Sequence, residues 1–169
     1  MLKAAVDIGS NSVRLLVGSV EKGRVKVAEQ HLRTTRLGKT AKGGSLNKDA
    51  VARTIGALAE FKEVLAKFGL QNSPVVAATS AVREAADKAE FAALIEKELG
   101  WRLQILDGEE EAALSYLGAS SVVSEPAAVI DVGGGSTELI FAKDGKIVGR
   151  SVPVGAVRLH LGEVAAEDL

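Results

Sequence analysis

The stretch Asp131-Val132-Gly133-Gly134-Gly135-Ser136-Thr137-Glu138 has residue types and spacing suited to phosphate and metal chemistry. Its consecutive glycines lack the Cβ atoms that would hold a ligand away from the backbone. Successive bare N–H groups can then converge on an anion, and phosphate is the natural one. Asp131 and Glu138 flank the turn with hard carboxylate oxygens of the kind magnesium takes. An apolar run, Ala127 to Ile130, precedes the turn, and another, Leu139 to Ala142, follows it. These runs predict a buried strand that delivers Asp131 to the turn and a second strand that leaves it.

The same arrangement stands near the N-terminus. Asp7-Ile8-Gly9-Ser10-Asn11-Ser12-Val13-Arg14-Leu15-Leu16-Val17 aligns without gaps on residues 131–141, with Asp7, Gly9, Ser12 and Leu15 identical to Asp131, Gly133, Ser136 and Leu139. An internal repeat of this kind governs the fold. Two copies of strand, small-residue turn and strand predict two phosphate-binding turns facing each other across a cleft. Arg14 and Glu138 share one repeat position, so only the second copy offers a carboxylate there.

Composition sets the class. Of 169 residues, 47% are apolar and 25% charged, which predicts a packed globular core. The formal net charge of −1 gives no general attraction to nucleic acid or membrane. Aromatic residues are only 4%, too few for a base-stacking surface, so no nucleic-acid partner is expected. The chain has no cysteine, which excludes thiolate metal sites and disulfides and is compatible with a reducing cytoplasm. No apolar run approaches the roughly 20 residues of a membrane span, and the N-terminus does not read as a signal peptide. The reading is a cytoplasmic protein with no membrane partner.

The elements that must position the two turns follow in order. Ala4 to Ile8, Ser12 to Val20 and Arg24 to Leu32 read as an antiparallel meander. His31 to Lys42 carries Arg33, Arg36, Lys39 and Lys42 without an acid, either as a solvated loop or as a basic lip for a polyanion. Gly38-Lys39-Thr40 is not a P-loop, because Arg33 stands where its first glycine is required. Asn47 to Phe68 has helical spacing at Val51, Ile55, Leu58, Leu65 and Phe68, with Asn47 as cap and Gly69 as stop. Pro74 to Ala78 reads as a strand leading into Thr79-Ser80-Ala81-Val82-Arg83. Asp87 and Glu90 have capping-box spacing for a helix that Gly100 closes. Trp101 to Leu106 reads as a strand, with Trp101 in packing, and Glu109 to about Gly118 as a helix. Asp144-Gly145 reads as a hairpin turn, Lys146 to Val154 as a strand and Val157 to Leu161 as a last helix. His31 and His160 stand alone and read as structural or exposed.

The order β-β-β-α-β-α-β-α, then β-β-β-α, describes an α/β mixed sheet with helices and the opening of a duplicate. We expect a first domain over 1–123 and the beginning of a second over 124–169, with a linker at 120–126. So short a second sheet should leave Ile130, Leu139, Phe141 and Val148 partly bare or covered by another copy, so a homodimer or self-association is expected.

These motifs resemble the actin-like superfamily of sugar kinases, Hsp70 chaperones and actin. Within it, they are most similar to the exopolyphosphatase / guanosine pentaphosphate phosphatase family. The resemblance is carried by Asp7-Ile8-Gly9-Ser10-Asn11-Ser12, Thr79-Ser80-Ala81-Val82-Arg83-Glu84-Ala85, Gly108-Glu109-Glu110-Glu111-Ala112, residues 131–138 and Pro153-Val154-Gly155-Ala156-Val157-Arg158-Leu159. It implies an actin-like (ribonuclease H-like) fold and magnesium-dependent release of terminal phosphate from inorganic polyphosphate or pppGpp. It also implies Glu111 as the base that activates water and Arg83 as the clamp on the phosphate chain. Asp131 and Glu138 fall at metal positions, with Asp7 as their counterpart in the first copy. Ser10, Asn11, Ser12, Gly133, Gly134, Gly135 and Ser136 would donate hydrogen bonds to phosphate. The chemistry is coherent, since hydrolysis needs a base beside the attacking water and a planar guanidinium grips phosphate oxygens as lysine cannot. An actin-like sugar or acid kinase shares both turns but needs an adenosine-binding segment further on, and a non-catalytic polyphosphate or nucleotide sensor would use the same pocket without turnover.

Overall fold

The computed structural model describes residues 1–40, 44–123, 128–143, 146–160 and 162. They form two compact units, Met1–Ile105 and Leu106–Leu169. The helix expected to close the first domain thus falls in the second unit, which begins before residue 124. The expected linker (in part), the Asp144-Gly145 turn, Lys42 and Leu161 lie outside the described residues.

The first unit is built on one mixed sheet. Strands β1 (Lys3–Ile8), β2 (Ser12–Glu21) and β3 (Arg24–Thr34) form the expected antiparallel meander, and β4 (Val75–Ala78) and β5 (Leu103–Ile105) add in parallel on the other side of β1. The order is β3-β2-β1-β4-β5. Alternation puts Ala4, Val6 and Ile8 of β1 and Val13, Leu15 and Val17 of β2 on the buried face. Helices α1 (Lys48–Ala66) and α3 (Lys88–Leu99) cover that face, with Leu58, Phe61, Leu65, Phe91 and Ile95 in the same core. Each of these fully buried side chains contributes roughly 1.5–3 kcal/mol.

Helix α1 starts as its sequence predicts, with the Asn47 side chain accepting from the N–H groups of Asp49 and Ala50. Val51, Ile55 and Phe68 lie at the edge of the core; the fully buried stripe runs through Ala50, Thr54, Ala57, Leu58, Phe61 and Leu65. The capping box expected at Asp87 is not made: the Asp87 carboxylate accepts instead from the Leu46 N–H, a backbone donor of the incoming loop. Trp101 is in packing as expected, its indole N–H donating to the Gln71 carbonyl at 2.7 Å.

The second unit is helix α4 (Gly108–Ser120), the antiparallel sheet β6 (Val129–Val132), β7 (Thr137–Lys143) and β8 (Lys146–Val152) in that order, and helix α5 (Ala156–His160). Helix α4 lies on one face of this sheet. Its Ala112 sits so close to Gly149 that a Cβ there would be 2.4 Å from the Ala112 methyl. On the opposite face Ile130 is 68% and Leu139 45% exposed, while Phe141 is half-buried; Val148 is also exposed. No described helix is long and apolar enough to cross a membrane.

Candidate active site

The sequence repeat is a repeat of geometry. Strand β1 ends at Ile8, and the Gly9 N–H closes the first turn on the Ser12 carbonyl at 3.0 Å. Strand β6 ends at Val132, and the Gly133 N–H closes the second on the Ser136 carbonyl at 2.9 Å. Asp7 pairs in register with Arg14, and Asp131 with Glu138. The Gly133 N–H is therefore spent on the turn and does not join the expected anion donors. No described residue accepts from the N–H groups of Ser10, Asn11, Gly134 or Gly135. The hydroxyl of Ser10 is buried 3.0 Å from that of Ser80. Asn11 is exposed, Ser12 half-buried and Ser136 buried.

Each turn is latched from behind by a glycine at the matching place. The Gly38 N–H donates to the Ser10 carbonyl at 2.8 Å, and a Cβ on Gly38 would stand 2.7 Å from that of Ser10. Ser10 aligns with Gly134 in the repeat. A Cβ on Gly155 would stand 2.5 Å from the Gly134 carbonyl, which accepts from the Val157 N–H at 2.9 Å. The Thr137 hydroxyl adds a bond to the Val154 carbonyl at 2.6 Å. Only a residue without a side chain permits backbone segments to meet this closely.

Helix α4 brings Glu111 to the second turn's sheet. Asp107 caps it, accepting from the N–H groups of Glu109 and Glu110, while the Glu110 carboxylate accepts from the Asp107 N–H at 3.0 Å. This capping box occupies Glu110 in holding the helix start. Glu109 is exposed, where its charge suits the positive end of the helix. Glu111 is half-buried, one turn before Ser115 on the same helix face. The Ser115 hydroxyl donates to the Asp131 carboxylate at 2.8 Å. Next to Asp131 in the sheet is Glu138, only 2% exposed, whose carboxylate accepts from the Ser151 hydroxyl at 2.8 Å. Directly opposed residues of an antiparallel pair share a face with Cβ atoms about 5 Å apart. Asp131, Glu138 and Ser151 thus form one row across the sheet.

Two carboxylates in such a row fit magnesium, which binds through one or two carboxylates and completes its shell with water and phosphate oxygens. Among the described residues no three acidic or histidine side chains stand together as a metal site. Asp7 lies in the first unit, exposed on the sheet face away from the core. Arg83 ends the short helix α2 (Ser80–Arg83) that follows β4; it is half-buried, and Lys88 holds its carbonyl at 3.2 Å.

The model of the Ppx/GppA phosphatase family matches residues 16–164. The chain belongs to that family. Exopolyphosphatase 2 of Mycobacterium tuberculosis is 34% identical over 169 residues, covering 92% of this chain and 53% of the relative. The Ppx/GppA enzyme of Aquifex aeolicus superposes with a TM-score of 0.79 at 34% identity, over 96% of this chain and 55% of that one. An exopolyphosphatase from Cytophaga hutchinsonii gives a TM-score of 0.86 at 26% identity, over 96% and 53%. The chain spans about half the length of the curated relatives it matches. Its mixed sheet with helices is the actin-like fold of these Ppx/GppA structures.

Nothing in the sequence sets Ser115, Ser151 or Gly38 beside the two turns. Ser115 could have been found as the residue one turn after Glu111. Ser80 stood inside a recognised motif, but its partner Ser10 is 70 residues away.

Proposed function

We propose that the protein hydrolyses the terminal phosphoanhydride bond of inorganic polyphosphate or of pppGpp with magnesium. The observation that carries this reading is the arrangement in the second unit. Glu111 lies on the same face of α4 as Ser115, and Ser115 is bonded to Asp131, which stands beside the buried Glu138. The family of phosphatases to which the chain belongs and the exopolyphosphatases among its relatives support the same chemistry.

In this reading Glu111 accepts a proton from water as the water oxygen attacks the terminal phosphorus. The bond from that phosphorus to the bridging oxygen breaks, and the shortened chain leaves with the electron pair. Asp131 and Glu138 would hold the magnesium, which when bound neutralises charge on the phosphate oxygens, with Asp7 as the corresponding carboxylate of the first unit. Ser115 and Ser151 fix the Asp131 and Glu138 carboxylates. The N–H groups of Gly134, Gly135, Ser10 and Asn11 donate to phosphate oxygens, with Ser12 and Ser136 shaping the turns, and Arg83 grips the chain through its planar fork. A cytoplasmic site of action belongs to the same proposal.

The test is phosphate release from polyphosphate and from pppGpp, with magnesium and with a chelator. Magnesium-dependent release from at least one of them is expected. Binding without release would favour a sensor, and phosphate transfer from ATP to a sugar or acid would favour a kinase.

A further inference from the structure

We infer that Arg36 is a second phosphate-chain ligand, presented at the first turn by a strained and stapled loop. The inference rests on the proposed polyanionic substrate and singles out one cation of the basic segment 31–42, which the sequence left open between a solvated loop and a lip for a polyanion. Arg36 has φ +54, in the left-handed region that a residue with a side chain avoids. Such a conformation persists only where its surroundings impose it, and it gathers at ligand sites. Here the surroundings are explicit. The N–H groups of Thr35 and Arg36 both donate to the Asn11 carbonyl, at 3.0 and 2.9 Å. The Arg53 guanidinium donates twice to the Thr35 carbonyl, at 3.2 and 3.0 Å. The Gly38 N–H holds the Ser10 carbonyl. Thr35 and Leu37 on either side are buried, and Arg36 between them is exposed.

The loop therefore fastens to Ser10 and Asn11, the residues whose own N–H groups no described residue accepts, and holds out one cation. Another cation of the same segment is differently employed. Arg33 is bonded to Glu60 at 2.9 Å, whereas no described residue pairs with the Arg36 side chain. The second copy of the latch offers a contrast. Counting back from Gly155 as Arg36 is counted from Gly38 reaches Pro153, which carries no charge. The second latch also closes by other bonds: the N–H groups of Ala156, Val157 and Arg158 donate to the Gly133 and Gly134 carbonyls, and Pro153, with no N–H, makes no counterpart of the Arg36 bond. An arginine held in an unfavourable backbone conformation, where a glycine would sit without strain, is accounted for by what its guanidinium binds.

The discriminating variant is Arg36→Gly, which relieves the backbone while removing the guanidinium. Binding of inorganic polyphosphate is measured by titration calorimetry and stability by thermal unfolding, with Arg36→Lys alongside. Loss of one charge-assisted phosphate contact should weaken binding roughly tenfold or more, while Tm stays level or rises. Arg36→Lys, which keeps charge without the fork, should fall between. Unchanged polyphosphate binding by Arg36→Gly, with the wild type binding, would overturn the inference and leave the proposed function standing. A wild type that binds neither polyphosphate nor pppGpp would overturn both.

Discussion

The hydroxyl oxygens of Ser10 and Ser80 lie 3.0 Å apart in the buried interior of the first unit, and so join the first turn to the helix that carries Arg83. Replacing one partner leaves the other buried and unsatisfied, which costs about 1–3 kcal/mol. Ser80→Ala should lose that much stability in urea denaturation, and KM for polyphosphate should rise as the α2 start loosens. The double variant Ser10→Ala/Ser80→Ala should recover part of the stability. Additive losses in the two single variants would show that the hydroxyls do not act as a pair.

Glu111→Gln keeps the shape of the side chain and removes its basicity. Hydrolysis should fall by roughly 10²–10⁴ with polyphosphate affinity nearly intact. Normal turnover in this variant would move the base elsewhere. Glu110 is a weak alternative because its carboxylate is bonded to the Asp107 N–H.

Gly149→Ala tests how α4 is seated. The added methyl would press into that of Ala112, 2.4 Å away. Overpacking of this kind costs about 1–3 kcal/mol. Turnover should drop with stability, because α4 carries Glu111. Adding Ala112→Gly should restore both, less the helix penalty of about 1 kcal/mol for the new glycine. No gain on adding it would place the strain elsewhere.

The bare face of the second sheet should drive association of the 169-residue chain. Ile130 and Leu139 are exposed there. Sedimentation of this chain should show a concentration-dependent dimer or larger species, and Ile130→Lys with Leu139→Glu should reduce it. A monodisperse monomer throughout would remove self-association from the proposal.

Legibility in the sequence followed the range of the interactions. The two turns could be read because each is a local structure whose residues are contiguous, and their alignment brought Asp7 and Arg14 against Asp131 and Glu138 before the strand register was known. Helix α1 was legible through its period and its Asn47 cap. The latches were not, because Gly38 and Gly155 are required by backbone segments that arrive from elsewhere in the chain. Capping-box spacing occurs at both Asp87 and Asp107, and pattern alone cannot separate them. At Asp87 the carboxylate accepts from the distant Leu46 N–H and the box is not made, whereas Asp107 and Glu110, with no such competitor among the described residues, make theirs.

The two turns also hang from different kinds of strand. β1 is hydrogen-bonded along both edges, to β2 and to β4, whereas β6 pairs with β7 alone among the described residues. The Gly9 and Gly133 bonds have nearly the same length, so a static picture makes the copies equal. Amide exchange would separate them. The Gly9 turn adjoins a strand held along both edges, so exchange of its N–H should be the slower. Freeing the Gly133 N–H needs only an edge to fray, a far less costly fluctuation. The duplication is thus symmetric in the turn bond and unequal in its support, and the second turn should open many times for each opening of the first.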